Sequence, residues 1–379
     1  MKKNIKIFES DFDQKELKAV AKVVKSGWLT NGAVTESFEE KINRNLLNDE
    51  AEAVAVSSCT AALHLALIAS KIERGDEVIV PALTFVSDFN VVKALGANPI
   101  LCDVSSLTEW SPSLEDVKRV TTKKTKACIL VHFAGIPCKD IFKIKKFCKS
   151  KKIVLIEDVA HAPGAKIHKQ SCGSIGDFGT FSFYSNKNIS TGEGGAVSSK
   201  NKKDLLKRIR SHGMTSSTLD REKGRVFSYD VSEIGLNYRI DEIRAALGIE
   251  QIKKIKNKNK LRRKILLTYL ENLPVNVLTP HKAALENKDL LSVDHIMPVL
   301  LPHGIERNKI VEKLKIKNIQ TTMHYPAPWS FSAYKNDFSK SKTPFSTEII
   351  DREITLPLHT LMTQKDAEKV CIELKKAIS

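Results

Sequence analysis

Short apolar runs alternate with segments of helical periodicity through about the first 245 residues of the chain. Each run spans four to six residues, which is the length of a buried strand. Strands that alternate with helices in this way form a mostly parallel, covered sheet, so we predict an α/β fold. The predicted strands are Ala53–Val56, Glu77–Val80, Pro99–Asp103, Ala127–His132, Ile153–Asp158 and Thr180–Phe183, and the helices between them include Ala61–Ser70, Asp88–Leu95 and Asp140–Lys151.

The pattern changes near Asp241, where a long helical segment that ends at about Leu273 begins. Shorter segments of both periodicities follow it and predict a smaller C-terminal α+β domain. These segments are the strands Val275–Leu278 and His295–Leu301 and the helices Arg307–Lys315 and Gln364–Ile378. We therefore divide the chain into a large domain, residues 1–245, and a small domain, residues 246–379.

A small polar turn, Ser57–Thr60, stands between the first predicted strand and an alanine-rich helical run. The start of a helix offers free N–H groups and a favourable dipole to an anion, so this turn is a candidate phosphate site. An ordinary N-cap by Ser or Thr explains the same residues equally well. In open α/β sheets ligands gather at the carboxyl ends of strands, where this turn, Asp158 and the loop around Lys187 are all predicted.

Lys187 is the single lysine of a polar loop that follows an apolar strand and precedes a glycine turn. Apolar surroundings favour the neutral amine, and a neutral amine can form a Schiff base with an aldehyde. The strand upstream ends in Glu157 and Asp158, and an acid can pair with a protonated ring nitrogen. A loop lysine is most often a solvated charge, but lysine and acid together indicate pyridoxal phosphate (PLP) chemistry.

The formal net charge of +17 is concentrated in two basic segments, residues 139–152 and 253–264. Nucleic acid is one partner for such segments. The run 253–264 contains no aromatic residue on which a base could stack, and helices with solvated lysine faces are the simpler explanation. We expect no nucleic-acid partner, while an anionic small substrate would also gain from a positive field.

The seven cysteines are scattered singly and the ten histidines show no metal-ligand spacing, so we expect neither a disulfide framework nor a metal site. The chain contains no run of 18 apolar residues that could span a membrane. Its first residues, 1–6, lack the apolar stretch of a signal peptide. These features predict a cytoplasmic protein without a membrane partner.

Five segments carry a resemblance to a known family. They are SSCTAALHLAL (57–67), VPALTF (80–85), EDVAHAPGA (157–165), KNISTGEGGAV (187–197) and GLNYRI (235–240), with further agreement in GWLTNG (27–32), RSHG (210–213), HYP (324–326) and LPLH (356–359). In this order they resemble the DegT/DnrJ/EryC1/StrS family of PLP-dependent nucleotide-sugar aminotransferases. The resemblance implies the aspartate-aminotransferase fold (PLP fold type I), with a mostly parallel seven-stranded sheet in the large domain.

By this resemblance Lys187 holds PLP as a Schiff base, Asp158 pairs with the protonated pyridine nitrogen, and His161 lies near the ring hydroxyl. These three are the implied catalytic residues. Phe85 lies where the family stacks an aromatic side chain on the ring, although a phenylalanine there could also belong to the core. A branch of the family that carries histidine in place of the lysine performs dehydration, so Lys187 favours amino transfer.

The phosphate contacts implied by the resemblance are Cys59, Thr60 and Ser182. The family usually has Gly or Ala where Cys59 stands, but the backbone N–H of a cysteine can serve a phosphate equally well. Asn237 resembles a residue that reaches the phosphate bound by the neighbouring subunit. That role implies a homodimer with two shared active sites.

The substrates implied by the resemblance are L-glutamate as amino donor and a nucleotide-linked keto sugar, of which the 4-keto-6-deoxyhexose class is favoured. The candidate substrate contacts are Trp28, Thr30, Asn31, Glu193, Arg239, His324 and Tyr325. His324 could equally be a structural histidine, and Arg239 could belong to a structural ion pair. The implied pathway is the biosynthesis of a surface glycan, such as the O-antigen of a lipopolysaccharide.

Three alternatives stay open on the sequence. The chain could be a 3-keto-sugar aminotransferase or a PLP-dependent sugar dehydratase. A regulatory, nucleic-acid-binding protein on the same scaffold is a third reading, supported only by the positive charge.

Overall fold

A seven-stranded sheet forms the centre of the computed structural model, which describes residues 4–216, 224, 226–334, 337–339 and 342–379. Its strands are β1 (Glu52–Val56), β2 (Glu77–Pro81), β3 (Asn98–Cys102), β4 (Thr125–Val131), β5 (Val154–Asp158), β8 (Phe178–Ser182) and β9 (Gly195–Ser199). They lie in the order β1-β9-β8-β5-β4-β2-β3, and within this sheet β9 runs antiparallel to both of its neighbours. The predicted α/β fold with a mostly parallel seven-stranded sheet is therefore confirmed.

Two small sheets accompany the large one. One joins β6 (Lys166–Ile167), β7 (Gln170–Ser171) and β10 (Leu290–Leu291), and the other pairs β11 (Met297–Leu300) with β12 (Glu353–Leu356) antiparallel. The helices are α1 (Gln14–Ser26), α2 (Ala33–Leu46), α3 (Cys59–Ala69), α4 (Ser87–Ala94), α5 (Leu114–Val120), α6 (Ile141–Lys151), α7 (Lys203–Ile209), α8 (Glu242–Asn272), α9 (Pro280–Glu286), α10 (Arg307–Ile316), α11 (Pro344–Arg352) and α12 (Gln364–Ile378).

Two predicted details differ from the structure. The segment Val275–Leu278 was predicted as a strand, but only Leu278 pairs with a strand residue, Leu300, because a turn closed by the Val277 N–H on the Pro274 carbonyl precedes it. Strand β9 was not predicted, since its sequence is rich in small residues. The small residues are required where β9 begins, because a Cβ on Gly195 would lie 2.5 Å from the Ser58 backbone.

Helix α8 contributes residues to two different hydrophobic clusters. Ala245 and Ile252 in its first half pack in the cluster that contains Phe38 of α2, while Leu266 and Tyr269 near its end pack in the cluster around β11 and β12. The predicted division after residue 245 therefore falls within one continuous helix, and the division itself stays a prediction. Among the described residues, no helix is both long enough and apolar enough to cross a membrane.

The start of α8 also caps another helix. Helix α2 begins after Gly32, which has no side chain to cap it. The buried carboxylate of Glu242 accepts the N–H groups of Gly32, Val34 and Thr35 at 2.8 to 3.0 Å and the Thr35 hydroxyl at 2.6 Å. An anion at this end of a helix satisfies its free N–H groups and its dipole. Glu242 thus fixes the segment that leads into α2.

Removal of this carboxylate should destabilise the fold. We expect Glu242→Ala to lower the free energy of unfolding by roughly 2–3 kcal/mol, because it leaves buried N–H donors without an acceptor. Chemical denaturation of the purified protein measures the change. The matched control is Glu250→Ala in the same helix, which loses only an ion pair with the half-exposed Lys253 and should change stability by less than about 1 kcal/mol. Equal losses in the two variants would contradict the capping role.

Candidate active site

A cavity of about 560 Å³ opens at the carboxyl ends of β5 and β8, beside the start of α3. The large sheet lines one side of it, and the loop 322–325 from the C-terminal part of the chain lines the other. Its walls include ten of the residues predicted from the sequence: Cys59, Thr60, Phe85, Asp158, His161, Ser182, Lys187, Glu193, His324 and Tyr325. The convergence of strand ends at one edge of the sheet brings these distant residues together.

The other predicted residues lie elsewhere. Asn31 and Arg239 line a second cavity of about 370 Å³, next to Arg210 and Ser211. Asn237 forms an isolated backbone pair with Ser211, so it lies on the same side as this second cavity. Trp28 and Thr30 precede α2 and line neither cavity. Within the described chain, these residues are therefore not brought to Lys187.

Lys187 is held in a short loop between β8 and β9. Its backbone N–H donates to the Tyr184 carbonyl at 2.9 Å. The next residue, Asn188, is buried and donates through Nδ2 to the Val293 carbonyl at 3.0 Å and to Asn259 Oδ1 at 3.1 Å. The loop is thus fixed to α8 and to the segment before β11. Burial lowers the pKa of Lys187 to about 8, although the nearby Asp158 opposes this shift.

Asp158 ends β5 and is 4% exposed. Its Oδ1 accepts the Ala160 N–H at 2.7 Å, while no described residue donates to its second carboxylate oxygen. Burial raises the pKa of Asp158, and the charge of Lys187 is among the influences that oppose this. A buried carboxyl of this kind becomes a stable anion when a cation faces it, as a protonated pyridine nitrogen does. Asp158 therefore fits PLP.

The start of α3 fits the phosphate of the same cofactor. Ser58 is the N-cap, and its hydroxyl accepts the Ala61 N–H at 3.1 Å. The N–H groups of Cys59 and Thr60 find no acceptor in the described part of the chain, and both residues line the cavity. The close approach of Gly195 to this turn and the position of Ser182 complete a small polar cradle. Free N–H groups at a helix start suit an anion.

His161 and Tyr325 form a hydrogen-bonded pair on the cavity wall. His161 Nδ1 accepts the Ala134 N–H at 3.3 Å, so the proton of the neutral ring lies on Nε2 and is donated to the Tyr325 hydroxyl at 2.8 Å. Burial and the charge of Lys187 hold the pKa of His161 well below its usual value. The Tyr325 ring also contacts Phe85, with centroids 5.5 Å apart. Phe85 is 52% exposed, which argues against the core alternative for this residue.

Three buried residues on and beside strand β5 were not predicted as functional residues. His132, Glu157 and Cys172 cluster closely enough to suggest a metal site. However, Glu157 already accepts the N–H groups of Gly173, Ile175 and Gly176 and bonds His132 at 2.9 Å. The cluster therefore has a structural role, because Glu157 holds the loop after β7 in place. In the sequence, Glu157 can be recognised only as an acid directly before Asp158, and nothing there indicates which groups it binds.

Together, this fold and a cavity that pairs a buried lysine with a buried aspartate define a PLP-dependent aminotransferase. The family model for the DegT/DnrJ/EryC1/StrS aminotransferase family matches residues 10–375. The chain belongs to this family, and it is a sugar aminotransferase.

Known proteins resemble the chain over almost its whole length. MJ1066 of Methanocaldococcus jannaschii is 34% identical over 383 residues, covering 98% of this chain and 97% of the relative. Spr1654 of Streptococcus pneumoniae, solved in a PMP form, has 27% identity and a TM-score of 0.89, with 99% of each chain covered. PseC of Helicobacter pylori, an aminotransferase of pseudoaminic acid biosynthesis, has 26% identity and a TM-score of 0.90, again with 99% of each chain covered.

The pKa of Lys187 can be tested on enzyme freed of cofactor. Below a pKa of about 8 the amine is charged and unreactive, and above it the neutral form dominates. We therefore expect the rate of PLP binding, followed by its absorbance, to rise with pH, to reach half of its maximum near pH 8 and to level off above about pH 9. Lys187→Ala should show no covalent attachment after borohydride reduction. A rate that continues to rise about tenfold per pH unit between pH 9 and 10 would contradict the lowered pKa.

Proposed function

We propose that the enzyme transfers an amino group from L-glutamate to a nucleotide-linked keto sugar, most specifically a 4-keto-6-deoxyhexose. The observation that carries this is the amine of Lys187, buried in a cavity that also contains Asp158. The presence of lysine rather than histidine at position 187 favours amino transfer over dehydration. The sugar class is supported by the family match and by PseC, whose pathway leads to an amino sugar.

The chemistry divides between the cofactor and the protein. Bound PLP supplies an aldehyde that takes up the amino group and a ring that accepts electron density. Asp158 would keep the ring nitrogen protonated, because a buried carboxylate stabilises the cation opposite it. Lys187 would hold the cofactor at rest and then act as a base, since an amine with a pKa of about 8 is partly neutral at working pH.

The remaining predicted residues receive proposed roles according to their place. Cys59, Thr60 and Ser182 would bind the phosphate, and His161 would lie near the ring hydroxyl. Phe85, exposed at the cavity, would stack on the ring. The sugar would contact Glu193, His324 and Tyr325, which also line the cavity. The high positive charge would favour approach of a nucleotide diphosphate.

A homodimer would complete the site. Asn237 and Arg239 do not line the cavity that contains Lys187, and neither do Trp28, Thr30 and Asn31. Four exposed apolar residues, Phe227, Tyr229, Val231 and Ile234, lie close together in the sequence just before Asn237. Exposed apolar residues that gather in one region are typical of an interaction site. We propose that a second copy covers these residues, so that Asn237 of each copy reaches the phosphate bound by the other.

The setting of the reaction is also a proposal. Nucleotide sugars are consumed in the biosynthesis of surface glycans, such as the O-antigen of lipopolysaccharide, and this would take place in the cytoplasm. The alternative products are a 3-amino sugar, from a 3-keto substrate, and a dehydrated sugar without a new amino group, from the dehydratase reaction. Each alternative is separated from the proposal by the product formed.

A product assay tests the reaction. With glutamate and a panel of nucleotide-linked 4-keto and 3-keto hexoses, we expect an amino sugar and 2-oxoglutarate, formed with ping-pong kinetics. Lys187→Ala should abolish turnover. Asp158→Asn should lower kcat by about 10²-fold or more, because a neutral amide no longer stabilises the ring cation. Mass spectrometry of the products would contradict the proposal if it found a sugar that had lost water and gained no nitrogen, or no transfer to any 4-keto hexose.

Mixed dimers test the shared site. Lys187→Ala and Asn237→Ala would each damage both sites of a homodimer, but a mixed dimer would contain one site with Lys187 of one copy and Asn237 of the other. Random reassociation of the two inactive variants should therefore restore roughly one quarter of wild-type activity. The control is a mixture in which one copy carries both substitutions and the other is Lys187→Ala, which should stay inactive. Failure of the first mixture, despite exchange of subunits, would contradict a shared site.

A further inference from the structure

A buried acid, Glu353, lies next to His324. Glu353 is 1% exposed, and its Oε2 accepts the backbone N–H of His324 at 3.0 Å. Its Oε1 bonds the hydroxyl of Thr355 at 2.5 Å, and the same hydroxyl bonds His324 Nδ1 at 2.8 Å. A continuous chain of hydrogen bonds therefore runs from a buried carboxyl through one hydroxyl to an imidazole that lines the cavity.

Strand β12 fixes this chain of groups. Glu353 and Thr355 are two residues apart in β12, so their side chains lie on the same face of the strand. The backbones of Thr355 and Thr322 bond to each other in both directions, at 2.8 and 3.2 Å. This pairing holds the loop that carries His324 against the strand. The backbone pairing of Thr322 with Thr355 therefore aligns His324 with Glu353 and Thr355.

The protons of this hydrogen-bonded chain can be arranged in two ways. If Glu353 is a carboxylate, it must accept the Thr355 hydroxyl proton, and Thr355 must in turn accept a proton from His324 Nδ1. The other ring nitrogen, Nε2, is then an acceptor. If Glu353 is protonated, it donates to Thr355, Thr355 donates to Nδ1, and Nε2 carries the ring proton. In the described part of the chain, the ring of His324 is hydrogen-bonded through Nδ1 and not through Nε2, and His324 lines the cavity.

We propose that Glu353, Thr355 and His324 form a proton relay, in which the protonation of Glu353 decides whether Nε2 of His324 donates or accepts a hydrogen bond in the active-site cavity. Glu353 and Thr355 are positioning residues, since they act through His324. An effect of the relay on turnover rests on the proposed function, in which His324 contacts the sugar. The exchange of tautomers itself does not depend on that contact.

The charges around the relay favour a change of tautomer over a change of charge. Burial raises the pKa of Glu353 to about 8, while Thr355, the His324 N–H and the charge of Arg307 in α10 oppose this. Burial and the charge of Lys187 lower the pKa of His324 to about 3, so its ring stays neutral. The other titratable groups near His324 are Tyr325, the neutral His161, whose ring centroid is 6.1 Å away, and the buried His295, which interacts electrostatically with His324.

The relay also balances as a proton transfer. When a group in the cavity takes the Nε2 proton of His324, Nδ1 takes the Thr355 hydroxyl proton and Thr355 takes the proton of Glu353. One N–H and two O–H bonds break. Three bonds to hydrogen form: one on the accepting group, one on Nδ1 and one on the Thr355 oxygen. Glu353 is left as a carboxylate, and the ring is neutral before and after. His324 can thus give a proton to an oxygen of the substrate without first becoming a cation.

Nitrogen NMR of the holoenzyme, labelled with ¹⁵N-histidine, tests the relay without substrate. His324→Gln assigns the signal by its loss. In the wild type we expect Nε2 to change from protonated to unprotonated between pH 6.5 and 9.5, with a midpoint at about pH 8. Glu353→Gln should keep Nε2 protonated throughout, because its amide accepts the His324 N–H and donates permanently to Thr355. An unchanged tautomer in the wild type, or the same switch in Glu353→Gln, would overturn the relay.

Two variants of Thr355 serve as matched controls. Thr355→Ser keeps the hydroxyl, so it should keep the switch with a midpoint within about one pH unit of the wild type. Thr355→Val has nearly the same shape but no hydroxyl, so it should uncouple the His324 tautomer from pH over this range. A pH-dependent switch that persists in Thr355→Val would show that Glu353 does not act through Thr355, and it would overturn the proposal.

The pH dependence of the sugar half-reaction separates the relay from the proposed function. Enzyme loaded with the amino form of the cofactor is mixed with keto sugar at saturating and limiting concentrations. In the wild type we expect the rate to fall roughly tenfold for each pH unit above the midpoint, and in Glu353→Gln to stay level. A tautomer switch accompanied by level rates in both proteins supports the relay and contradicts the sugar contact at His324.

Discussion

The structure depends on the burial of one lysine opposite one aspartate at the carboxyl edge of a parallel sheet. Desolvation moves both groups toward their neutral forms: it lowers the pKa of Lys187 and raises that of Asp158. Their charges still interact, but the two side chains form no ion pair among the described residues. The cavity of about 560 Å³ that they share thus leaves space between an amine and an acid, which a flat, cationic ring with an aldehyde can occupy.

The C-terminal part of the chain keeps this pair out of water. The segment before β11 pairs with the loop after β4, through the Val293 N–H on Gly135 and the His295 N–H on Ala134. Asn188, next to Lys187, donates to the Val293 carbonyl in the same segment, and its Oδ1 accepts a hydrogen bond from Nδ1–H of His295 at 2.9 Å. Helix α8 packs both in the cluster around Phe38 and in the cluster around β11 and β12, so it joins the packing of the two parts of the chain. The pKa of the lysine is therefore a property of the whole fold.

The local sequence was sufficient to predict site residues that follow the carboxyl end of a strand. Asp158 and Lys187 were predicted to meet because parallel strands place their carboxyl ends at one edge. Local sequence was insufficient where a contact depends on chain crossings: Glu353 meets His324 only because β12 lies beside the loop 322–325, and nothing in either segment indicates the other. The position of Asn237 shows a related limit, because a residue that would serve a second copy has no partner to identify it within one chain.

The histidines around the cavity share a property that connects the cofactor site to the relay. Burial holds the pKa values of His161, His295 and His324 below the usual range, with the charge of Lys187 adding to the effect on each. A charged imidazolium there would repel the lysine and compete with the ring cation for Asp158. Neutral rings avoid both costs, but they can still orient a substrate, because each presents one donor and one acceptor. In a site of this kind, the hydrogen bond that a histidine offers to a substrate depends on which ring nitrogen carries the proton, and not on the charge of the ring.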